Sequence, residues 1–317
     1  MNSAIGTPLL CFDIGGSFIK FGLCERPGVV AQAGRRTTPA TSWTGFVDAL
    51  SATVAAHVDQ IAPSTPLSIS TAGMIDAETG LVTAASNVPC LVGHRPAAEL
   101  SEILGRPVLV ANDADCFALA EAEIGAGHGR RVVFGVILGT GVGGGLVIDG
   151  RLVASAGEWG HGPITKTQLA NGTVDLPRLP CACGQVGCLD VLGAARGLER
   201  IHAHLFGGAK DSRVIIEEWL AGDEQAARAV AIQIELISEP LAVVVNATSA
   251  SIVPVGGGLG SVAPFVAALD AAVRPLILRH TDQPLVVPAQ TSADAGLIGA
   301  GVLGHQAAGR TTHHDKV

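Results

Sequence analysis

The chain has 317 residues, of which 48% are hydrophobic, 15% charged and 3% aromatic, with 41 glycines and no tyrosine. That composition excludes a disordered or fibrous protein and is long enough for two α/β domains, each with a core. A formal net charge of −8, with cations clustered no further than pairs such as Arg35-Arg36 and Arg130-Arg131, excludes a broad nucleic-acid or anionic-membrane surface and leaves a small-molecule partner. The opening residues lack the basic start, apolar run and cleavage site of a leader. No stretch reads as the roughly 18 apolar residues of a membrane span, so a cytoplasmic protein is expected. Three of the seven cysteines sit close together, which fits metal binding in a reducing compartment better than a disulfide framework. Cys11, Cys24, Cys90 and Cys116 read as buried thiols.

In chain order, LLCFDIGGSFIKFGLCE reads as two strands around a Gly-Gly turn, and VVAQAGRR as a third strand. A helix is expected from Ser42 to about Gln60, capped by Ser42 or Thr44. LSIST is a buried strand leading into Ala72-Gly73-Met74. RPVLVAND is another strand, whose end opens the helix NDADCFALAEAEIG. The pattern then restarts: VVFGVILGTGVGGGLVIDGRLV is strand, glycine turn, strand, which points to an internal duplication of a βββαβα-like unit with two halves facing a cleft. VLGAARGLERIHAHL reads as a helix. A long helix runs from Asp223 to Asn246, with Pro240 expected to kink or end it. SIVPVGGGLG is a strand and a third glycine turn, ADAGLIGAGVLG a small-residue helix, and TTHHDKV a frayed end in which His313 and His314 carry no role.

Glycine turns at Gly15-Gly16-Ser17, Gly139-Thr140-Gly141 and Gly256-Gly257-Gly258 each follow an apolar strand. One such turn is commonly a plain hairpin. Three of them on strand ends of a duplicated α/β chain suit a nucleotide's phosphates, because freed amides form anion nests and glycine lets a ligand approach. No Walker-type phosphate loop is present, and the glycines near Gly139 precede a strand rather than a helix, so the dinucleotide fingerprint fails. ATP in an actin-like (ribonuclease H-like) fold remains. Lys20, just past the first turn, joins the nucleotide set. Asp13 is placed to hold Mg2+ near the phosphates, the alternative being a turn aspartate bonded to its own backbone. Asn112 and Asp113 stand at a strand-to-helix junction, where Asn112 suits a cap and Asp113 a general base for phosphoryl transfer. The stretch from Gly157 to Asp190 carries Glu158, His161, Cys181, Cys183, Cys188 and Asp190. His161 and the three cysteines make a tetrahedral structural Zn2+ set, and the metal would carry Glu158 and Asp190 to one binding site.

FDIGGS, NDADCFALAE, LGTGVGGGLVIDG, GEWGH, CACGQVGC, VPVGGG and DAGLIGAG together resemble the ROK family of sugar kinases and repressors, over nearly the whole chain. The resemblance implies an actin-like fold of two α/β domains, transfer of the γ-phosphoryl of Mg2+-ATP to the 6-hydroxyl of a hexose, and a homodimer. It implies Asp113 as catalytic base, and Gly73, Asn112, Glu158, His161 and Asp190 as sugar contacts. Within the family, the run NDADCFALAEA and the ASNVP segment resemble the bacterial N-acetylglucosamine kinases, with glucokinase and N-acetylmannosamine kinase as alternatives. A sugar-sensing repressor is disfavoured because the first strand arrives by Leu9, and a catalytically dead binding protein because Asp13 and Asp113 are intact. Ser17 stands where the family usually has threonine. Asp190 stands where it usually has glutamate, which shortens its reach by about 1.5 Å. Expected domains are 1–111 with a C-terminal helix at about 295–312, and 112–294 carrying the zinc insertion 157–190.

Overall fold

The computed structural model describes residues 8–170, 172–291 and 294–314, without the side chains of 310–314. Strands β1 (Leu9–Ile14), β2 (Phe18–Arg26) and β3 (Val29–Thr37) form an antiparallel set. Period-two alternation sends Leu10, Phe12 and Ile14 of β1 into one core and Leu9 and Cys11 into another. Helix α1 (Trp43–Ala56) begins at Ser42, whose hydroxyl accepts the Gly45 amide at 3.1 Å. Strand β4 (Leu67–Thr71) is followed by the short pair β5 (Met74–Ile75) and β6 (Val82–Ala84), then by α2 (Pro96–Leu104). Strand β7 (Val108–Asn112) hands over directly to α3 (Asp113–Glu123).

The second repeat supplies β8 (Val132–Leu138), β9 (Val142–Ile148) and β10 (Arg151–Val153). The cysteine stretch holds the small pair β11 (Gln168–Leu169) and β12 (Val174–Asp175) and ends in α4 (Leu189–Leu192). Then come α5 (Ala195–Phe206), α6 (Ser212–Leu220), α7 (Glu224–Thr248), β13 (Val253–Gly256), α8 (Gly257–Gly260), α9 (Ala263–Val273), β14 (Val286–Pro288) and α10 (Ala295–His314).

The first sheet has the order β3-β2-β1-β4-β7; the second runs β9-β8-β13-β14, with β10 paired on β9. Both carry an antiparallel hairpin set at one side and two parallel strands at the other, so the expected duplication and actin-like fold are what the chain adopts. Register decides what this builds. Ile14, Thr71 and Asn112 are paired across β1, β4 and β7, and Ile137 pairs with Gly256 across β8 and β13. Each sheet therefore delivers its turns in a row at the carboxyl ends of its parallel strands.

Two compact units result. One contains the residues up to Gly129, Gly145–Ser155 and the segment from Thr291 onward; the other contains Arg130–Gly144 and Ala156–Gln290. The expected boundary at 111/112 would have put α3 in the second unit, whereas α3 packs on α10 in the first. Gly299 of α10 lies against the Cys116 backbone, Gly301 against Cys24 and Gly296 against Asp13, so the small residues of this helix allow backbone-close contact. The buried Glu121 carboxylate accepts the amides of Ala126 (2.8 Å) and Thr291 (2.6 Å) and the Thr291 hydroxyl, tying α3 to the segment before α10.

Several expectations are corrected. Pro240 does not end α7, because Leu241, Ala242 and Val245 beyond it are buried and their packing outweighs one missing amide bond. By length and composition α7 also qualifies as a membrane span, contrary to the reading that none exists. Yet 56% of its 18-residue window is buried, and Gln233 Nε2 donates to the carbonyls of Leu192 and Ala194 at 2.9 and 2.8 Å, the pattern of a core helix. The helix expected from Val191 is broken at Gly193, which separates α4 from α5. The third glycine turn is helical, forming α8 from Gly257. Cys90 is half-buried, unlike Cys11, Cys24 and Cys116. Helix α10 continues to His314, although the side chains of His313 and His314 and all of 315–317 lie outside the described residues, as do the opening residues in which a leader was sought.

The close approach of α10 gives a contrast to measure. Gly299→Ala is expected to lower the urea unfolding free energy by about 1–3 kcal/mol, because its methyl meets the Cys116 backbone. Gly309→Ala, whose added methyl would meet nothing within 4 Å beyond its own helix, is expected to be neutral or to stabilise by up to about 1 kcal/mol.

Candidate active site

In the first unit, the junction of β7 and α3 brings three expected residues together. Asn112 is the helix cap: its Oδ1 accepts the Ala114 amide at 2.8 Å, and its Nδ2 donates to the Gly73 carbonyl at 2.7 Å. Gly73 has φ 132 and lies against Ala84 and Ala85, so no other residue fits there without strain. Asp113 follows as the first helical residue, exposed, with Oδ1 on the same Ala114 amide at 2.9 Å. The helix dipole favours its ionised form.

On β1, two strands along, Asp13 is half-buried and accepts from Ser70 Oγ at 3.0 Å; burial raises its pKa above the ordinary carboxylate value. The turn after it is braced by Thr38, whose Oγ1 donates to the Gly15 carbonyl at 2.7 Å and whose amide donates to the Ser17 carbonyl at 3.0 Å. Lys20 forms an ion pair with Asp294 at 3.1 Å.

In the second unit, the other two glycine turns line one cavity of about 630 Å³, with Gly139 and Thr140 on one side and Gly258 and Leu259 on another. The glycines divide into two kinds. At Gly141 and Gly257 a Cβ would collide with the Asp190 carboxylate and the Leu138 backbone, so the protein itself requires glycine. At Gly139 and Gly258 the backbone needs no positive φ, and a Cβ would meet only ordinary contact or open space. Neither packing nor φ accounts for those two, and both line the cavity, as expected where a ligand comes close to backbone.

Downstream, His161 Nδ1 lies 3.6 Å from Cys181 Sγ and Cys183 Sγ lies 3.6 Å from Cys188 Sγ, with all four donor atoms within 4.8 Å of one another. Tetrahedral zinc with bonds of about 2.0–2.3 Å implies donor separations of about 3.5–3.8 Å, so the set fits Zn2+. Burial pushes the Cys181 thiol up to about 12, while the Gln185 backbone amide is the main cause that pulls Cys183 down to about 7. The other imidazole nitrogen, Nε2, is 3.7 Å from Glu158 Oε2. A metal on Nδ1 would fix the tautomer and leave Nε2–H facing Glu158. Glu158 is half-buried, and burial raises its pKa despite His161. Asp190 Oδ1 accepts the Val142 amide at 2.8 Å, next to the Gly139–Gly141 turn.

Two parts of the site escaped the sequence reading. Trp159, in the middle of GEWGH, anchors that loop: Nε1 donates to the Gly143 carbonyl at 3.0 Å and the ring packs edge-on to Phe134. A tryptophan among glycines and charges, one of only three in the chain, was the available signal. The far wall of the cavity, Arg196 and Glu199 from α5 with Ser212 and Ile216 from α6, carried no motif. Metal analysis of the purified protein is expected to find about one zinc per chain, and Cys183→Ser to lose the metal and lower the melting midpoint by several degrees. A metal-free preparation with the wild-type midpoint would contradict the assignment.

The ROK family profile matches residues 9–307. N-acetylgalactosamine kinase AgaK of Shewanella sp. (strain ANA-3) is 31% identical over 92% of this chain and 95% of its own length. N-acetyl-D-glucosamine kinase of Salmonella gallinarum is 32% identical over 92% of this chain and 97% of its own. The crystal structure of a Streptomyces griseus ROK glucokinase with glucose and AMPPNP superposes with a TM-score of 0.70 at 26% identity, covering 94% of this chain and 99% of that one. By a profile match over nearly its full length and by relatives above 30% identity, the chain belongs to the ROK family.

Proposed function

We propose that this ATP-dependent sugar kinase phosphorylates the 6-hydroxyl of N-acetyl-D-glucosamine, giving N-acetyl-D-glucosamine 6-phosphate. The observation that carries the chemistry is Asp113, an exposed carboxylate on the first turn of α3, held beside the cap residue Asn112 and its bond to Gly73. The sugar's 6-oxygen attacks the γ-phosphorus, the bond to the ADP oxygen breaks, and the hydroxyl proton passes to Asp113. Mg2+, held through Asp13, supplies charge neutralisation on the phosphates. The turns at Gly15-Gly16-Ser17, Gly139-Thr140-Gly141 and Gly256-Gly257-Gly258 present amides to ATP. Glu158 and the Nε2–H of His161 take sugar hydroxyls, and the Gly73 backbone with Asn112 supports the acceptor end. The metal at His161, Cys181, Cys183 and Cys188 is structural and sets where Glu158 and His161 point. The enzyme works in the cytoplasm as a homodimer.

The relatives support a 2-acetamido sugar. The Shewanella kinase favours one second reading, N-acetylgalactosamine, which differs from N-acetylglucosamine only in configuration at the fourth carbon. ADP-release assays over N-acetylglucosamine, N-acetylgalactosamine, N-acetylmannosamine, glucose and mannose separate these; the highest kcat/KM is expected on N-acetylglucosamine, and a preference for glucose would sink the proposal. Asp113→Ala is expected to lower kcat by about 10²–10⁴-fold while leaving the fold intact, as measured by circular dichroism. A third outcome follows from the raised pKa of Asp13. Protons and Mg2+ compete for its ionised form, so the acid limb of activity is expected to move to lower pH as Mg2+ is raised, and an acid limb indifferent to Mg2+ would remove Asp13 from the metal's coordination.

A further inference from the structure

Asp190 was placed among the sugar contacts by resemblance; together with burial, its charge helps raise the pKa of Glu158, and its carboxylate is bonded toward the glycine turn. Oδ1 accepts the Val142 amide at 2.8 Å, Oδ2 lies 3.7 Å from Cys181 Sγ, and the residue's own amide donates to the Gly160 carbonyl at 3.0 Å. Val142 is the residue immediately after the turn Gly139-Thr140-Gly141. Gly141 lies so close to Asp190 Oδ1 that a Cβ would overlap it, although its φ does not call for glycine. At the other end of the turn, the Gly139 carbonyl accepts the Ala195 amide at 3.0 Å. Both ends of the turn are therefore tied to the short segment that leaves Cys188, the last of the three cysteines.

We propose that Asp190 is a positioning residue for the nucleotide, not a sugar contact: it fixes the amides of the Gly139–Gly141 turn and makes the metal knuckle a support of the phosphate site. The inference rests on reading that turn as a phosphate binder. A nest of amides binds an anion only while the amides converge, and a carboxylate on the adjacent amide is a charge-assisted bond strong enough to hold them. One methylene matters here. Aspartate reaches Val142 from the first turn of α4, and the longer glutamate would have to fold back to do the same.

The test is ADP binding by isothermal titration calorimetry on metal-loaded protein without sugar, together with separate KM values for ATP and sugar. Asp190→Ala is expected to weaken ADP binding and raise the KM for ATP about tenfold, the loss of one charge-assisted hydrogen bond, with the sugar KM within about twofold. Asp190→Asn, whose side-chain oxygen still accepts from Val142, is expected to stay within about threefold of wild type. Gly141→Ala, which pushes the carboxylate aside, is expected to weaken ADP about tenfold in the wild-type background and little further in the Asp190→Ala background, the signature of a shared effect. A raised sugar KM with unchanged ADP affinity overturns the proposal, as does loss of zinc from Asp190→Asn. Should Asp190→Ala fail to fold, Gly141→Ala decides, and unchanged ADP affinity in that variant overturns the proposal. A wild-type protein that binds ADP but phosphorylates no hexose would sink the kinase reading alone, since the calorimetric arm does not depend on turnover.

Discussion

Parallel register at the strand ends is the constraint on which the rest depends. Pairing Ile14 with Thr71, and Thr71 with Asn112, puts the turns after β1, β4 and β7 at one edge of the first sheet. Asp13, Gly73 and Asp113 come from distant parts of the chain, and it is this register that makes them neighbours in one row. The second sheet repeats the device when Ile137 pairs with Gly256, which sets Gly139 beside Gly257. A slip of one residue in either ladder would turn every side chain of the slipped strand to the opposite face, emptying the core and scattering the row together.

The second unit carries an accessory of its own. His161 offers one nitrogen to the cysteine cluster and turns the other toward Glu158, so a single imidazole plane relates the metal to the polar loop. Trp159 locks the same loop onto β9. The polar groups of GEWGH are thereby held by two devices, the metal set through His161 and the Trp159 bond to Gly143.

What was legible in the sequence was local chemistry: apolar strands that end in glycine, an asparagine cap, a cysteine spacing. Each of these is decided by neighbours in the chain, so residue type and spacing suffice. What was not legible depends on remote packing. Pro240 looked like a helix end because its own backbone argues that way, whereas Leu241, Ala242 and Val245 are held by the core. Asp190 was legible only through its place with Glu158 on the metal stretch; its bond to the Val142 amide, a residue 48 positions earlier, had no signal in the sequence. Arg196, Glu199 and Ser212 line a cavity that exists only once α5 and α6 pack beside the glycine turns.

The return of the last helix bears on how the protein is made. Leu297 and Ala300 of α10 complete the core that holds Leu9, Cys11 and Cys24. During synthesis the first sheet therefore emerges with one apolar face covered only by α3, and it stays so until α10 has left the ribosome. The second unit, Arg130–Gly144 with Ala156–Gln290, has its whole chain in hand earlier. The half made first is thus the half finished last. The longest exposure to misassembly falls on β1 and β2, the strands that carry Asp13 and the first glycine turn.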